Sequence, residues 1–275
     1  MMKVGLIGYG YWGKILKRNI ETITNNKIAI YDPYINVIND INDCDKIFIA
    51  TPVSSHKETV EKYLRLGKDV FCEKPLCTNT DDVVHLYNLA EENKCDLFVD
   101  WIFTFNDSIN FIKKHYQAGT FGEIKHVSMN RLNSGPERQD ISARWDLACH
   151  DVSILEYVFG QQIKKVLWSD LKRNPKSYRY DSSIGLLQYE TFDAILHSSW
   201  YYGKKDRDCI FEFTSGILEW NDCTQSIKFN GQILEHTNGS PLLNSINNFL
   251  NGRCQQKTLT VNVTNILSRR ESKWK

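Results

Sequence analysis

Gly8-Tyr9-Gly10-Tyr11-Trp12-Gly13 lies between an apolar stretch, Lys3-Val4-Gly5-Leu6-Ile7, and a helical one that begins at Lys14-Ile15-Leu16. Few folds accept that arrangement. Three glycines spaced this way after a short buried strand predict a tight turn at Gly8, close approach of the backbone to a ligand at Gly10, and close packing of helix on strand at Gly13. The helix that follows presents free N–H groups and the positive end of its dipole, which suits a pyrophosphate. A second strand over residues 27–31 ends at Asp32, about 20 residues beyond the glycines, where a carboxylate accepts from ribose hydroxyls and repels a 2′-phosphate. NAD is therefore expected rather than NADP. Asp32-Pro33 also has the form of a turn cap, so a local structural role for Asp32 stays open.

Strand and helix then alternate. Residues 46–50, 69–72 and 96–99 read as strands, 57–66 and a segment from Asn79 or Thr80 to about residue 94 as helices. Such alternation implies a doubly wound parallel sheet whose ligands lie beyond the strand C-termini, the edge to which Gly8, Thr51 and Lys74 fall. Only residues 33–45 separate the second strand from the next clear one. A full helix, strand and return would need more, so this region is expected to be abbreviated. From Asp107 the pattern changes: a helix capped by Asp107 and stopped by Gly119 precedes strand-like stretches at 124–132, 163–168, 184–189, 194–200, 209–214, 217–220 and 227–229. Helices over 146–157, 242–250 and a final segment complete the chain. The expected fold class is α/β, with an N-terminal Rossmann domain over 1–120 and a C-terminal α+β domain, built on a large and mainly antiparallel open sheet, over 121–275.

Composition removes several alternatives. With 34 basic and 33 acidic residues among 275, the formal charge of +1 gives no global field for nucleic acid or an anionic membrane. Apolar runs such as residues 46–50 are too short to span a bilayer. Met1-Met2-Lys3 leads straight into the first strand and is expected to leave no room for a signal peptide. Eight cysteines without a CxxC pair fit reduced thiols in the cytoplasm better than a disulfide framework or a zinc site. No HExxH cluster occurs, and no metal is expected.

The ordered set of GYGYWGKILKRN, Ala50-Thr51-Pro52 with His56, Glu73-Lys74-Pro75-Leu76 and Trp145-Asp146-Leu147-Ala148-Cys149-His150-Asp151 resembles the glucose–fructose oxidoreductase / inositol dehydrogenase / MocA (Gfo/Idh/MocA) family along essentially the whole chain. Tyr11-Trp12 and the WDLAxHD stretch are most similar to members that oxidise sugars of surface polysaccharides, often nucleotide-linked and at C3. The resemblance implies cofactor contacts from Gly8, Tyr9, Gly10, Tyr11, Trp12, Gly13, Asp32, Thr51, Pro52, His56, Glu73 and Lys74. It also implies that Lys74 lies beside the nicotinamide and the sugar hydroxyl, with Asp146 and His150 lining the substrate. An i,i+4 spacing on one helix puts those two on one face. Histidine suits the removal of a hydroxyl proton because it titrates near neutrality. His150 could equally be a satisfied core residue, and Asp146 the N-cap of its helix.

Two departures from the family pattern bear on the substrate. Asp100-Trp101 stands where relatives carry a small and then a polar residue, which predicts an altered substrate pocket, and Cys149 replaces a frequent proline. Arg131, Arg138 and Arg144 are candidates for charge-assisted bonds to a sugar diphosphate or uronate, or else form a solvated basic loop. The expected activity is hydride transfer between a secondary hydroxyl of a nucleotide-linked sugar and nicotinamide. An inositol, free-sugar or polyol dehydrogenase is the alternative enzyme. A non-catalytic NAD-binding regulator or scaffold is the alternative of another class. An exposed face on the antiparallel sheet suggests a homo-oligomer, dimer or tetramer.

Overall fold

A computed structural model describes residues 2–234, 236, 239–252 and 256–269. The elements of the N-terminal half are β1 Val4–Ile7, α1 Tyr11–Thr24, β2 Ala29–Asp32, β3 Val37–Ile38, β4 Lys46–Ile49, α2 His56–Arg65, β5 Asp69–Cys72, α3 Thr80–Glu92, β6 Leu97–Val99 and α4 Asp107–Gln117. There follow β7 Ile124–Ser134, α5 Cys149–Val158, β8 Ile163–Leu171, β9 Ser182–Tyr189, β10 Asp193–Ser199, β11 Tyr201–Asp206 and β12 Asp208–Phe213. The chain closes with β13 Gly216–Asn221, β14 Ser226–Phe229, β15 Gln232–Leu234, α6 Pro241–Leu250 and α7 Lys257–Ser268. Two compact units result, Met1–Ile102 with Ser240–Thr264, and Phe103–Gly239 with Asn265–Lys275.

The first unit is a six-stranded sheet in the order β3-β2-β1-β4-β5-β6. All its pairs are parallel except β2 with the two-residue β3. That hairpin and the 3₁₀ turn Pro33–Ile35 are all that fills the abbreviated region. Strands β1 and β4 are buried at every position, as a parallel sheet covered on both faces requires. Asn79 caps α3, its side-chain oxygen accepting from the amides of Asp81 at 2.8 Å and Asp82 at 3.2 Å. Helix α6 returns to this sheet through Phe249, whose ring meets those of Phe48, Phe71 and Phe98 at 5.2, 5.6 and 5.7 Å. This aromatic contact holds α6 to the first unit.

The second unit holds a nine-stranded sheet in the order β15-β14-β13-β12-β7-β10-β9-β8, with β11 also pairing on β7. Its neighbours are antiparallel except β7 with β10. Alternate residues point to opposite faces. One face buries Val127, Met129, Leu187, Leu196, Phe211 and Leu218. Helix α5 packs there, with Phe159 at 6.1 Å from Phe211 and Glu156 accepting from Tyr189 at 3.1 Å.

The compact units divide after Ile102, with α4 packed on α5: the Tyr157 hydroxyl donates to Asn110 at 2.7 Å, and Tyr116 lies edge-on to Phe159 at 4.8 Å. Other expectations are corrected. Asn106, not Asp107, caps α4, accepting from the Ile109 amide at 3.1 Å, and Asp107 sits in the first turn. Strands β11 and β15 were not expected. Helix α5 is preceded by a π-helical turn, Arg144–Ala148, so helical backbone begins upstream of Asp146. Among the described residues no helix is long and apolar enough to cross a membrane, and no group of three or more His, Cys, Asp and Glu could hold a metal ion. Seven cysteines are free thiols; Cys254 lies outside the described residues.

Candidate functional site

The glycine turn has the form its spacing predicts. Gly8 has φ +89°, and a Cβ there would lie 2.6 Å from the Ala50 carbonyl oxygen. A Cβ on Gly13 would lie 2.0 Å from the Gly8 carbonyl oxygen, so only glycine lets α1 seat against this turn. Gly10 differs: a Cβ there would meet no protein atom within 4 Å. The fold itself gives no reason for glycine at position 10. The space beside it is open, and α1 begins there with no side-chain cap and no acidic residue in its first turn. These residues fit a dinucleotide pyrophosphate.

Asp32 is buried, and both its carboxylate oxygens accept backbone amides, Oδ2 from Tyr9 at 2.7 Å and Oδ1 from Tyr34 at 3.0 Å. It therefore ties the glycine turn to the end of β2 and caps the 3₁₀ turn that follows. A carboxylate has lone pairs to spare for ribose hydroxyls, so the two roles are compatible.

At the ends of β4 and β5, Thr51 is half-buried and Pro52 exposed. His56 is 1 % exposed, with Nδ1 3.0 Å from the Pro75 carbonyl oxygen and Nε2 2.9 Å from that of Thr51. It clamps the Thr51-Pro52 loop to the Glu73-Lys74-Pro75 loop from within. Lys74 is half-buried and precedes a cis bond to Pro75. The half-buried Trp12 indole donates to Glu73 Oε1, which joins the glycine turn to that loop, while Tyr11 is 83 % exposed.

Beside this loop stands Asp100, whose burial and partner the sequence did not show. Asp100 is 1 % exposed, its amide donates to the Cys72 carbonyl at 3.0 Å, and Oδ1 accepts from Ser245 on α6 at 2.6 Å. Burial and the neighbouring Asp100 charge push Glu73 up to about 8, against the Trp12 hydrogen bond and the Lys74 charge, which act to lower it. Burial lifts Asp100 to about 6, against Ser245 and Lys74. Trp101, 1 % exposed, donates to Thr260 on α7 at 2.9 Å. The Asp100-Trp101 departure is thus absorbed by the core of the first unit rather than by an open pocket.

In the second unit Asp146 and His150 are both half-buried. Asp146 is not a cap: it lies inside the π turn, Oδ2 accepting from the Trp200 indole at 2.9 Å and Oδ1 standing 3.8 Å from Arg138 Nη1. His150 is on the first turn of α5, edge-on to Phe103 at 5.2 Å. Cys149 is fully buried and donates its thiol to the Asp146 carbonyl at 3.3 Å. π turns recur at functional sites, where they re-aim side chains.

The three arginines separate. Arg131 is 2 % exposed; Nε donates to Asp151 at 2.7 Å, Nη1 to Asp222 at 3.2 Å, and the guanidinium lies 4.7 Å above the Phe103 ring. Burial opposes its charge, but Asp151 and Asp222 outweigh it and raise its pKa. Arg144 donates to Asp170 and, at 3.2 Å each, to the carbonyls of Leu267 and Arg269. Both hold the fold together through these pairings. Arg138 is paired to Asp140 at 3.0 and 2.9 Å and keeps a third of its side chain exposed.

A Rossmann unit with a glycine turn open to solvent at its second glycine, followed by an open-sheet α+β unit, has the organisation of a dinucleotide-binding oxidoreductase. The chain belongs to the Gfo/Idh/MocA family: the oxidoreductase-family model for its NAD-binding Rossmann fold matches residues 15–101, and the family's C-terminal domain model matches residues 109–219. It is similar to inositol 2-dehydrogenase of Rhizobium meliloti (strain 1021), 22 % identical over 184 residues, 58 % of this chain and 56 % of that protein. The matched region spans about half the length of such curated relatives, between 43 % and 56 %. Among solved structures it resembles UDP-N-acetylglucosamine 3-dehydrogenase from Acidithiobacillus ferrooxidans, with TM-score 0.84, 19 % identity, and 97 % and 95 % of the two chains covered. It also resembles the WlbA dehydrogenase from Bordetella pertussis in complex with NADH and UDP-GlcNAcA, with TM-score 0.80, 18 % identity, and 97 % and 94 % covered. At these identities the structures establish the fold.

Proposed function

We propose that the protein is an NAD-dependent dehydrogenase acting on a secondary hydroxyl of a sugar, with Lys74 orienting and polarising that hydroxyl, His150 taking its proton, and Asp146 contacting the substrate. The observation that carries the cofactor half of this reading is the glycine turn ahead of α1, where Gly8 and Gly13 are imposed by the fold and Gly10 leaves the uncapped helix start open for a pyrophosphate. NAD, when bound, supplies the hydride acceptor. A nucleotide-linked sugar is the preferred substrate class, supported by the two nucleotide-sugar dehydrogenases of like fold. The ion pairs of buried Arg131 with Asp151 and of half-buried Arg144 with Asp170 favour a second reading, an inositol or free-sugar dehydrogenase that needs no diphosphate contacts. We also place the enzyme in the cytoplasm as a homo-oligomer. Its free thiols suit a reducing compartment, and the outward sheet face exposes Leu186, Ile195 and Ile210.

The test is kinetic. Lys74→Met and His150→Ala should each lower kcat by about 10² to 10⁴ while NAD affinity stays within a few-fold, because neither residue is needed to hold the pyrophosphate. Steady-state NADH absorbance with UDP-sugars and with inositol reads the rate and the substrate class; fluorescence titration reads the affinity. Near-normal turnover in both variants would remove the catalytic assignment. Tight NAD binding with no reduction by any sugar or polyol would favour a scaffold.

A further inference from the structure

Glu73 and Asp100 are the first residues beyond two adjacent parallel strands, β5 and β6, and the Asp100 amide bonds the carbonyl of Cys72, the residue before Glu73. Two acids thus emerge side by side at the sheet edge, flanking the residue read above as catalytic. Each is held from a different helix, Glu73 by the Trp12 indole of α1 and Asp100 by the Ser245 hydroxyl of α6. Both of these partners are neutral. The charges that act on the pair are that of Asp100, which raises Glu73, and that of Lys74, which favours the ionised form of both; the adjacent Cys72 thiol is kept neutral by its own burial. Two carboxylates and one ammonium leave an uncompensated negative charge in a poorly solvated place, which is costly. Binding one proton removes that excess.

We propose that Asp100 is a positioning residue for Lys74: the Glu73–Asp100 pair carries one proton between its two carboxyl groups, so that the pair presents a single negative charge to the neighbouring Lys74 ammonium. Burial raises both acids, and the Asp100 charge raises Glu73 as well. The cluster stays electrically balanced before any sugar arrives, with the ammonium held where a hydroxyl is to be polarised.

The purpose assigned to this pair rests on the reading of Lys74 as catalytic. Its charge state does not, and can be measured without substrate. Carbon-13 NMR of the full chain labelled at aspartate and glutamate carboxyls, followed from about pH 4 to about pH 10, should show one glutamate titrating several units above the ordinary range. Asp100→Asn should lower that midpoint by about 1–2 units, because a like charge is lost. Lys74→Met should raise the midpoints of both acids, since their shared cation is gone, and Ser245→Ala should raise that of Asp100. Glu73 and Asp100 both titrating as ordinary carboxylates, or a Glu73 midpoint unmoved by Asp100→Asn and Lys74→Met, would overturn the proposal. As a readout of positioning, Asp100→Asn should lower kcat about tenfold or more at unchanged NAD affinity. If the titrations come out as stated while Lys74→Met turns over normally, the catalytic reading of Lys74 falls and the proton-sharing pair stands.

Discussion

At the scale of single residues, the raised acids make stability depend on pH with a definite sign. Glu73 binds its proton more tightly folded, near 8, than at its ordinary value of 4.5, and Asp100 near 6 rather than 3.8. Across those intervals the folded state carries more protons than the unfolded one, so the stabilisation present in acid is lost as pH rises. Urea midpoints should therefore fall between about pH 5 and about pH 8, with a slope approaching 1.4 kcal/mol per pH unit for each excess proton. Asp100→Asn should flatten that slope; an unchanged slope would mean that other groups set it. The arginines make a second prediction. Arg131→Ala leaves Asp151 buried without its cation and should cost about 3–5 kcal/mol in chemical denaturation. Arg138→Ala, at a half-exposed position, should cost less than about 1 kcal/mol, and should weaken a UDP-sugar more than the free sugar if the diphosphate is read there. The sequence showed the arginines but not their partners, since Asp151 and Asp222 lie 20 and 91 positions from Arg131 and no local pattern links them. Asp100 and Ser245, 145 positions apart, were hidden for the same reason.

At the scale of elements, the junction of β1 and α1 was the most legible part of the chain, because a glycine imposed by backbone geometry leaves a signature within a few residues. Gly10→Ala and Gly13→Ala separate the two demands on that motif. The first adds a methyl into space free of protein atoms, at a backbone conformation of φ −70° that alanine accepts. Thermal stability should change by less than about 1 kcal/mol, while NAD affinity, read by fluorescence titration, should fall at least about tenfold. The second drives a methyl to 2.0 Å from a backbone oxygen and should destabilise the first unit by about 3 kcal/mol or more. Equal NAD affinity in Gly10→Ala and the unaltered protein would remove the pyrophosphate from this turn. The strands of the second sheet were legible where burial alternates, as in β9, β10 and β12. They were not where it fails: β11 reads Tyr-Tyr-Gly-Lys-Lys-Asp, pairs irregularly with β7 and is largely exposed, and β15 is a three-residue edge. The π turn ahead of α5 had no signal at all, because its residues fit an α-helix equally well.

At the scale of the whole molecule, the open sheet of the second unit poses the remaining question of what its outer face does. Helices cover one face, yet across four strands of the other a register row runs Leu186, Ile195, Ser128, Ile210. Its three aliphatic members are 38–39 % exposed. Apolar residues aligned in one row form a band rather than the scattered single exposures usual on a monomer. A net charge of +1 gives little repulsion between copies. A second copy applied about a two-fold axis would meet the same band, which is the self-complementarity an isologous contact needs. Light scattering coupled to size exclusion should accordingly return two or four chain masses. Ile195→Glu places a carboxylate opposite Leu186 in the middle of the band and should shift the protein to the monomer. Because the side chain already meets solvent, that monomer should keep its fold by circular dichroism. A monomeric unaltered protein would show that this face meets solvent, and an oligomer indifferent to Ile195→Glu would show that the copies meet elsewhere.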